Sequence, residues 1–357
     1  MIDHFIVLDA KADYDEWLRI FNNWELKEPF AHPAYCSLFS NFKTDSKCAI
    51  LMTDNGGVIY PFLLRDIQKE EYATNINAKD IISAYGYAGM YKINLIDNFD
   101  KTVLEKFRNI FQEWAISQSV ISEVVKFHLF NEVYTEYDGN IESPQHNISV
   151  DLLKNIDIIW KNFDHKVRKN VNKAIASNLT LIIDPDGTYF EDFLTIYNTT
   201  LNRRAALDTY YFTESFFKKI INNMNKNFCF FHVLNNNKII STELCLISKN
   251  NIYSFLGGTN SDFFNLRPND FLKFEIIKWG LNNNKKRFIL GGGYEKNDGI
   301  FNYKKSFDSS GIYNFNIGTK IFDIEKYNNV IKSKINYHIS KNEFWNPQYD
   351  FIPTYRL

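Results

Sequence analysis

Apolar and polar positions along this chain repeat with two periods, and the switches between them outline the elements. In DYDEWLRIFNNW, Trp17, Ile20, Phe21 and Trp24 fall on one side of a short amphipathic helix. FAHPAYCSLFSNF follows, with Pro33 suited to a first helical turn. Residues 48–53 and 58–64 are apolar runs around Asp54-Asn55-Gly56-Gly57, a strong hairpin signal. DIISAYGYAGMY interrupts the pattern with glycines flanked by tyrosines; a helix is predicted over 101–117, and KFHLF continues as a strand. EYDGNIESPQ is polar and broken by Gly139 and Pro144, which places a domain boundary there.

Beyond it, IDIIWKNFDHKVRKNVNKAIASN reads as one helix, with Ile159, Phe163, Val167, Val171 and Ala174 on one stripe and Lys166, Lys169 and Lys173 on another. The strand LTLIID comes next, then helices in GTYFEDFLTIYNTTLNRRA and TESFFKKIINNM. NFCFFHVLN, KIISTELCLIS and NIYSFLGGT form a three-strand meander with Asn-rich turns. Residues 252–307 look like the working heart of the chain. Two strands ending in glycines flank the helix FLKFEIIKWGLNNN, and carboxyl ends of adjacent strands are where α/β proteins bind ligands. A last strand is expected near IYNFNIGTKIF. The expected organisation is two domains, 1–148 and 149–357, the second carrying the candidate active cleft.

Composition narrows the partners. Lys+Arg 41 against Asp+Glu 42 gives a formal charge of −1, so no global field draws the chain to DNA or anionic lipid, and any such contact is a local patch. Phe (32) and Tyr (21) dominate the aromatics, most of them read as core. The four cysteines, Cys36, Cys48, Cys229 and Cys245, are widely spaced without a CxxC, as expected of reduced thiols in a cytoplasmic protein. The amino terminus lacks a basic leader and no apolar stretch is long enough to span a bilayer. The seven histidines show no metal-ligand spacing, and no P-loop, Rossmann fingerprint or nucleophile elbow occurs.

The ordered series FAHPAYCSLF, SAYGYAGMY, WKNFDHKVRKNVNKA, IYNTTLNRRAALDTYYF and LRPNDFLKFEIIKWG…FILGGG…FNYKKSF resembles the FemAB-like branch of the GNAT superfamily, over about residues 30–320. The resemblance implies an α/β (α+β) fold: two tandem GNAT-like domains with mixed, mostly antiparallel sheets flanked by helices. It implies transfer of an acyl or aminoacyl group to an amine, on an amino sugar or peptide of a nucleotide- or lipid-linked cell-envelope precursor. The co-substrate would be acyl-CoA or aminoacyl-tRNA, with no tightly bound cofactor; tRNA and peripheral membrane contact are the implied further partners. Two departures stand out. No heptad-patterned helical arm is present, which weakens tRNA use. Where CoA-binding GNATs carry a glycine-rich pyrophosphate loop, this chain has NSDFFNLRPND.

Amine acylation needs a neutral amine, an activated carbonyl and a stabilised oxyanion. Lys305 in NYKKSF corresponds to the lysine of the family's FxxxKxxF-like ending, for the oxyanion or a phosphate; the alternative is a solvated lysine, and Lys304 faces elsewhere on the helix. Glu243, in an otherwise apolar strand, is either a buried base or half of an ion pair. Arg168 and Lys169, with Arg203 and Arg204, form either a solvated face or a diphosphate clamp. Tyr85, Tyr87, Tyr210 and Tyr211 offer rings and hydroxyls for a sugar or base, or pack. Gly257, Gly258, Asn269, Gly292 and Tyr303 complete the candidate substrate-binding set, the glycines being equally explained as strand ends. The rival to an enzyme is a non-catalytic glycan-precursor or protein binding module derived from such a transferase.

Overall fold

Where residues 54–57 break two apolar runs, the backbone reverses on itself. In the computed structural model, which describes residues 3–94, 100–130, 136–348 and 352–356, β1 (His4–Asp9) pairs antiparallel with β2 (Thr44–Thr53). β2 turns through Asp54-Asn55 into the antiparallel β3 (Gly56–Asp66). Between β1 and β2 lie α1 (Tyr14–Asn23), which buries Trp17 and Phe21, and α2 (Pro33–Ser37), with Pro33 in its first turn. β3 is long enough to serve two partners, β4 (Lys79–Ile82) at one end and β5 (Tyr91–Ile93) at the other. α3 (Asp100–Ser117) then leads into β6 (Val120–Lys126), which lies parallel to β4. KFHLF is therefore mostly the exit from β6, whose paired residues begin earlier. Phe107, Phe111 and Ala115 of α3 pack on Tyr60, Phe62 and Leu64 of β3.

By its internal contacts the chain forms two units, Met1–Pro144 with Phe315–Leu357, and Gln145–Asn314. In the second, the later part of β7 (Asn140–Asp151) opens the sheet, followed by α4 (Ile156–Asn162) and α5 (His165–Ala176). The single helix expected here is broken at Phe163-Asp164. Phe163 is buried in extended backbone, and the Arg168 guanidinium donates to the carbonyls of Lys161 and Phe163, closing the end of α4. Next come β8 (Thr180–Asp184), α6 (Phe190–Arg204), α7 (Glu214–Asn223), β9 (Phe228–Asn235), β10 (Lys238–Ile247) and β11 (Asn251–Thr259). α8 (Pro268–Asn282), β12 (Arg287–Gly291) and α9 (Gly299–Lys305) finish the unit, with strand order β7-β12-β11-β10-β9-β8.

Strand periodicity sorts this unit into layers. Cys229, Phe231 and Val233 of β9 join α5 and α8 in one core, while Phe230, one step out of phase, meets Phe193 of α6 with ring centroids 4.8 Å apart. α5 and α8 thus cover one face of the sheet, and α6 covers the other. All four cysteines are buried, unpaired thiols. Among the described residues, no helix is long and apolar enough to cross a membrane.

The chain then returns. β13 (Ile312–Ile321) pairs antiparallel with β6 through residues 317–321, and α10 (Ile324–Ser340) buries Tyr327, Val330 and Ile331 against Ile67, Ala78 and Ile121. Residues 315–357, expected with the second domain, therefore group with the first unit, because their strand and helix complete its sheet and core.

Glycines on β11 answer to close packing. A Cβ at Gly258 would stand 2.5 Å from Thr200 Oγ1 and 2.8 Å from the Ile196 carbonyl of α6; at Gly257 it would stand 2.5 Å from the Thr242 carbonyl. Gly258→Ala is expected to destabilise the protein by about 1–3 kcal/mol in urea unfolding, the range for overpacking a filled site. Gly299→Ala, where a Cβ meets nothing within 4 Å, is expected to leave the midpoint unchanged or slightly raised.

Candidate active site in the second unit

Two parallel strands that stop pairing create an opening. β11 and β12 pair only from Asn251↔Arg287 to Tyr253↔Ile289; beyond that, β11 follows β10 as far as Thr259, and Gly291 of β12 follows β7. α8 connects the two strands, so its first turn and the residues after β12 border the wedge.

A buried ion pair lies at the root of this wedge. Lys273 of α8 places Nζ 2.5 and 2.6 Å from the two carboxylate oxygens of Glu243 on β10, and donates at 2.9 Å to Ser254 Oγ, the first β11 residue past the parallel ladder. Both charged residues are buried. Of the two alternatives for Glu243, the structure shows the paired carboxylate.

On the β12 side, Lys304 of α9 donates to the Gly292 carbonyl at 2.6 Å. Burial pushes the Lys304 ammonium down to about 8, and the positive charge of Lys273 acts in the same direction, against the opposing pull of Glu243 and Asp298. Its neighbour Tyr303 accepts from Asn269 Nδ2 at 2.8 Å. Burial, with the charges of Asp270 and Glu243, lifts the Tyr303 phenol well above its ordinary range. Asn269 and Tyr303, both candidates from sequence, are thus in direct contact.

No phosphate cradle forms at the start of α8. Residues Ser261–Leu266 make a 3₁₀ turn, Arg267 takes a left-handed φ of 63°, and Pro268 supplies no N–H. Asp270 lies buried in that first turn and accepts from Asn170 Nδ2 at 3.3 Å. A carboxylate already stands where a helix N-terminus would receive an anion, and burial raises its pKa.

The remaining candidates fall elsewhere. Lys305 is the last residue of α9 and partly exposed. Arg168 is committed to the end of α4, and Lys169 is exposed on α5. Arg203 donates to the Thr259 carbonyl at 3.0 Å and stacks 4.9 Å over Phe264, with Arg204 exposed beside it. α5 and α6 occupy opposite layers of the sheet, so the four basic residues do not form one diphosphate clamp. Tyr210 packs edge-on to Tyr294 and accepts from Tyr197 through its carbonyl, while Tyr211 donates to Asn202. Gly257 and Gly258 are packing positions, and Gly292 is closed in by Asn147 and the His146 carbonyl. Tyr85 and Tyr87 belong to the first unit. The Tyr85 carbonyl accepts from Tyr35, and the Tyr87 ring packs on Phe30 and Phe315.

Residues 161–305 match the family model of an acetyltransferase (GNAT) domain. No curated protein sequence matches the chain. Among solved structures, FemX shares 11% identity with a TM-score of 0.67, over 91% of this chain and 99% of its own. The C-terminal domain of a candidate lysylphosphatidylglycerol synthetase from Agrobacterium fabrum shares 10% with a TM-score of 0.54, over 91% and 97%. L-PGS from Bacillus licheniformis shares 10% with a TM-score of 0.53, over 92% and 97%. The chain shares its fold with FemX, and residues 161–305 carry the GNAT-domain match. The matched segment spans α5 to α9, and so contains β11, β12, the Lys273–Glu243 pair, Asn269, Asp270, Tyr303 and Lys304.

Sequence reasoning missed Lys273 and Asp270 and ranked Lys304 below Lys305. The available signal was a lone lysine inside the apolar run FLKF facing a lone glutamate inside STELCLI. Removing one partner leaves the other charge buried, so Lys273→Met is expected to cost about 3–5 kcal/mol in chemical unfolding, while Lys273→Met with Glu243→Leu recovers most of it. Lys304 gives a pH signature. Its folded pKa of about 8 lies below the ordinary 10.5, so between those values the unfolded chain binds more protons and stability rises with pH. Lys304→Met is therefore expected to gain stability on the wild type at pH 7, with that gain fading as pH climbs from 8 to 10.5 in parallel urea titrations.

Proposed function

We propose that the chain is an N-acyltransferase that moves an acyl or aminoacyl group onto an amine, using the wedge between β11 and β12. The observation that carries this reading is Lys304: a lysine near 8 at the mouth of the wedge exists in both protonation states around neutral pH. The acceptor amine attacks the donor carbonyl carbon, a C–N bond forms, and the carbonyl π pair moves onto oxygen. Neutral Lys304 takes the proton released by the amine nitrogen. As the intermediate collapses, the C–O or C–S bond of the donor breaks, and protonated Lys304 returns that proton to the leaving oxygen or sulfur. Backbone groups of β11 beyond Tyr253, outside the parallel ladder, face the developing oxyanion.

The acceptor class favoured is an amino sugar or peptide of a nucleotide- or lipid-linked cell-envelope precursor. Support comes from the fold shared with FemX and with lysylphosphatidylglycerol synthetase domains. Asp270 in the first turn of α8 argues for a donor whose phosphates are not gripped there, so aminoacyl-tRNA and acyl-CoA are both to be offered. These reactions belong in the cytoplasm, where such donors are made.

Assays pairing each donor with amino-sugar nucleotides and amino-bearing peptides test the proposal. Transfer is expected with one donor class; no transfer by the folded protein to any acceptor would favour the binding module instead. In a competent pairing, kcat/KM is expected to rise through pH 8, and Lys304→Met to lower it about 10²–10⁴-fold and remove that inflection. An inflection surviving in Lys304→Met belongs to the acceptor amine and counts against the shuttle. Lys305→Ala is expected to retain most activity; its collapse with Lys304 intact would transfer the role to Lys305.

A further inference from the structure

Among the buried acids of the first unit is Glu123, whose surroundings differ from those of Glu243. Glu123 sits in the middle of β6, 4% exposed. Tyr60 of β3 donates to its Oε1, and Tyr137 donates to its Oε2 at 3.1 Å. Against it lies a cavity of about 20 Å³, enough for one water-sized group. Tyr60, Phe107, Phe111, Phe127 and Tyr137 wall this space, with Tyr60 edge-on to Phe111 at 5.2 Å and Phe127 edge-on to Tyr137 at 5.3 Å. Charged and polar groups gather at the rim: Arg108 and Gln112 from α3, Asp138, and Lys320 from β13. The Lys320 ammonium is held there by Gln112 Oε1 at 2.8 Å and Asp138 Oδ2 at 2.7 Å, over the ring of Phe322.

The geometry points to a binding site for a primary ammonium group, its head against Glu123 within the aromatic walls and its stem toward the polar rim. Both phenols already donate to the carboxylate, so what the acid has room for is a further donor, and its own negative charge favours one that is positive. An anion would meet Glu123. A neutral hydroxyl of the same size would gain no charge pairing.

The titration of Glu123 agrees. Burial raises its carboxyl to about 7, with the two phenols and the Lys320 ammonium pulling downward and Asp138 pushing up. The groups present do not compensate a buried carboxylate fully, and an arriving ammonium supplies the missing charge. Binding then displaces a proton below pH 7 and tightens as pH rises through it.

Nothing in this site depends on acyl transfer, and its test reads binding alone. Methylammonium chloride is titrated calorimetrically into the full chain at pH 6 and pH 8 at fixed ionic strength, with methanol as the neutral probe. Affinity for methylammonium is expected to be about tenfold higher at pH 8, the ratio of ionised Glu123 for a pKa of about 7. Proton release at pH 6 should appear as a heat that depends on buffer ionisation, and Glu123→Gln should abolish binding. Absence of binding at pH 8, equal affinity for methanol, pH-independent affinity, or unchanged binding in Glu123→Gln each overturns the proposal. If Glu123→Gln fails to fold, the pH ratio and proton release of the wild type decide.

Discussion

The contact between Lys273 and Glu243 holds the second unit's site in place. It crosses from α8 to β10 where both are buried, and such a pair has value only when its geometry is good and the leftover hydrogen-bonding capacity is used. Two carboxylate oxygens and Ser254 meet the three donors of one ammonium. Fixing Lys273 fixes the helical face that carries it. Asn269 lies one turn earlier on that face, and its amide reaches Tyr303 across the wedge. The same ammonium also sets the field in which Lys304 sits.

A comparison inside the molecule sharpens this. Glu243 and Glu123 both occupy interior strands, and both are nearly inaccessible. One is partnered by a lysine and the other by two phenols. A phenol donates a hydrogen bond but no charge, so Glu123 keeps its proton to about 7. Both acids are buried, and they differ in the groups that face them.

Much of the architecture was legible because it follows from periodicity. The hairpin at 54–57, α1, α6, α7 and the β9–β11 meander follow apolar spacing and turn residues that act locally. The break between α4 and α5 was not legible, since the apolar stripe runs through it; the end of α4 comes from Arg168 reaching back, which spacing does not encode. The return of 315–357 to the first unit escaped for a similar reason, because strand pairing between residues 122–126 and 317–321 leaves no local mark. In the site, Glu243 stood out in sequence as a charged residue within an otherwise apolar strand. Lys273 was hidden by the expectation that a helical lysine is solvated. Gly257 and Gly258 showed where backbone comes close, but what approaches is α6.

That distant pairing also orders the events of folding. The second unit is one continuous segment, whose contacts are available as soon as it leaves the ribosome. The first unit is begun long before and cannot be finished until β13 and α10 emerge, so β6 waits with an unpaired edge while the whole second unit is synthesised. Closing a loop of that length adds little further entropy once its interior is already compact. The nascent chain is therefore most exposed to mispairing in the interval between the first unit's early strands and its last, and folding of the intervening unit shortens that interval's reach.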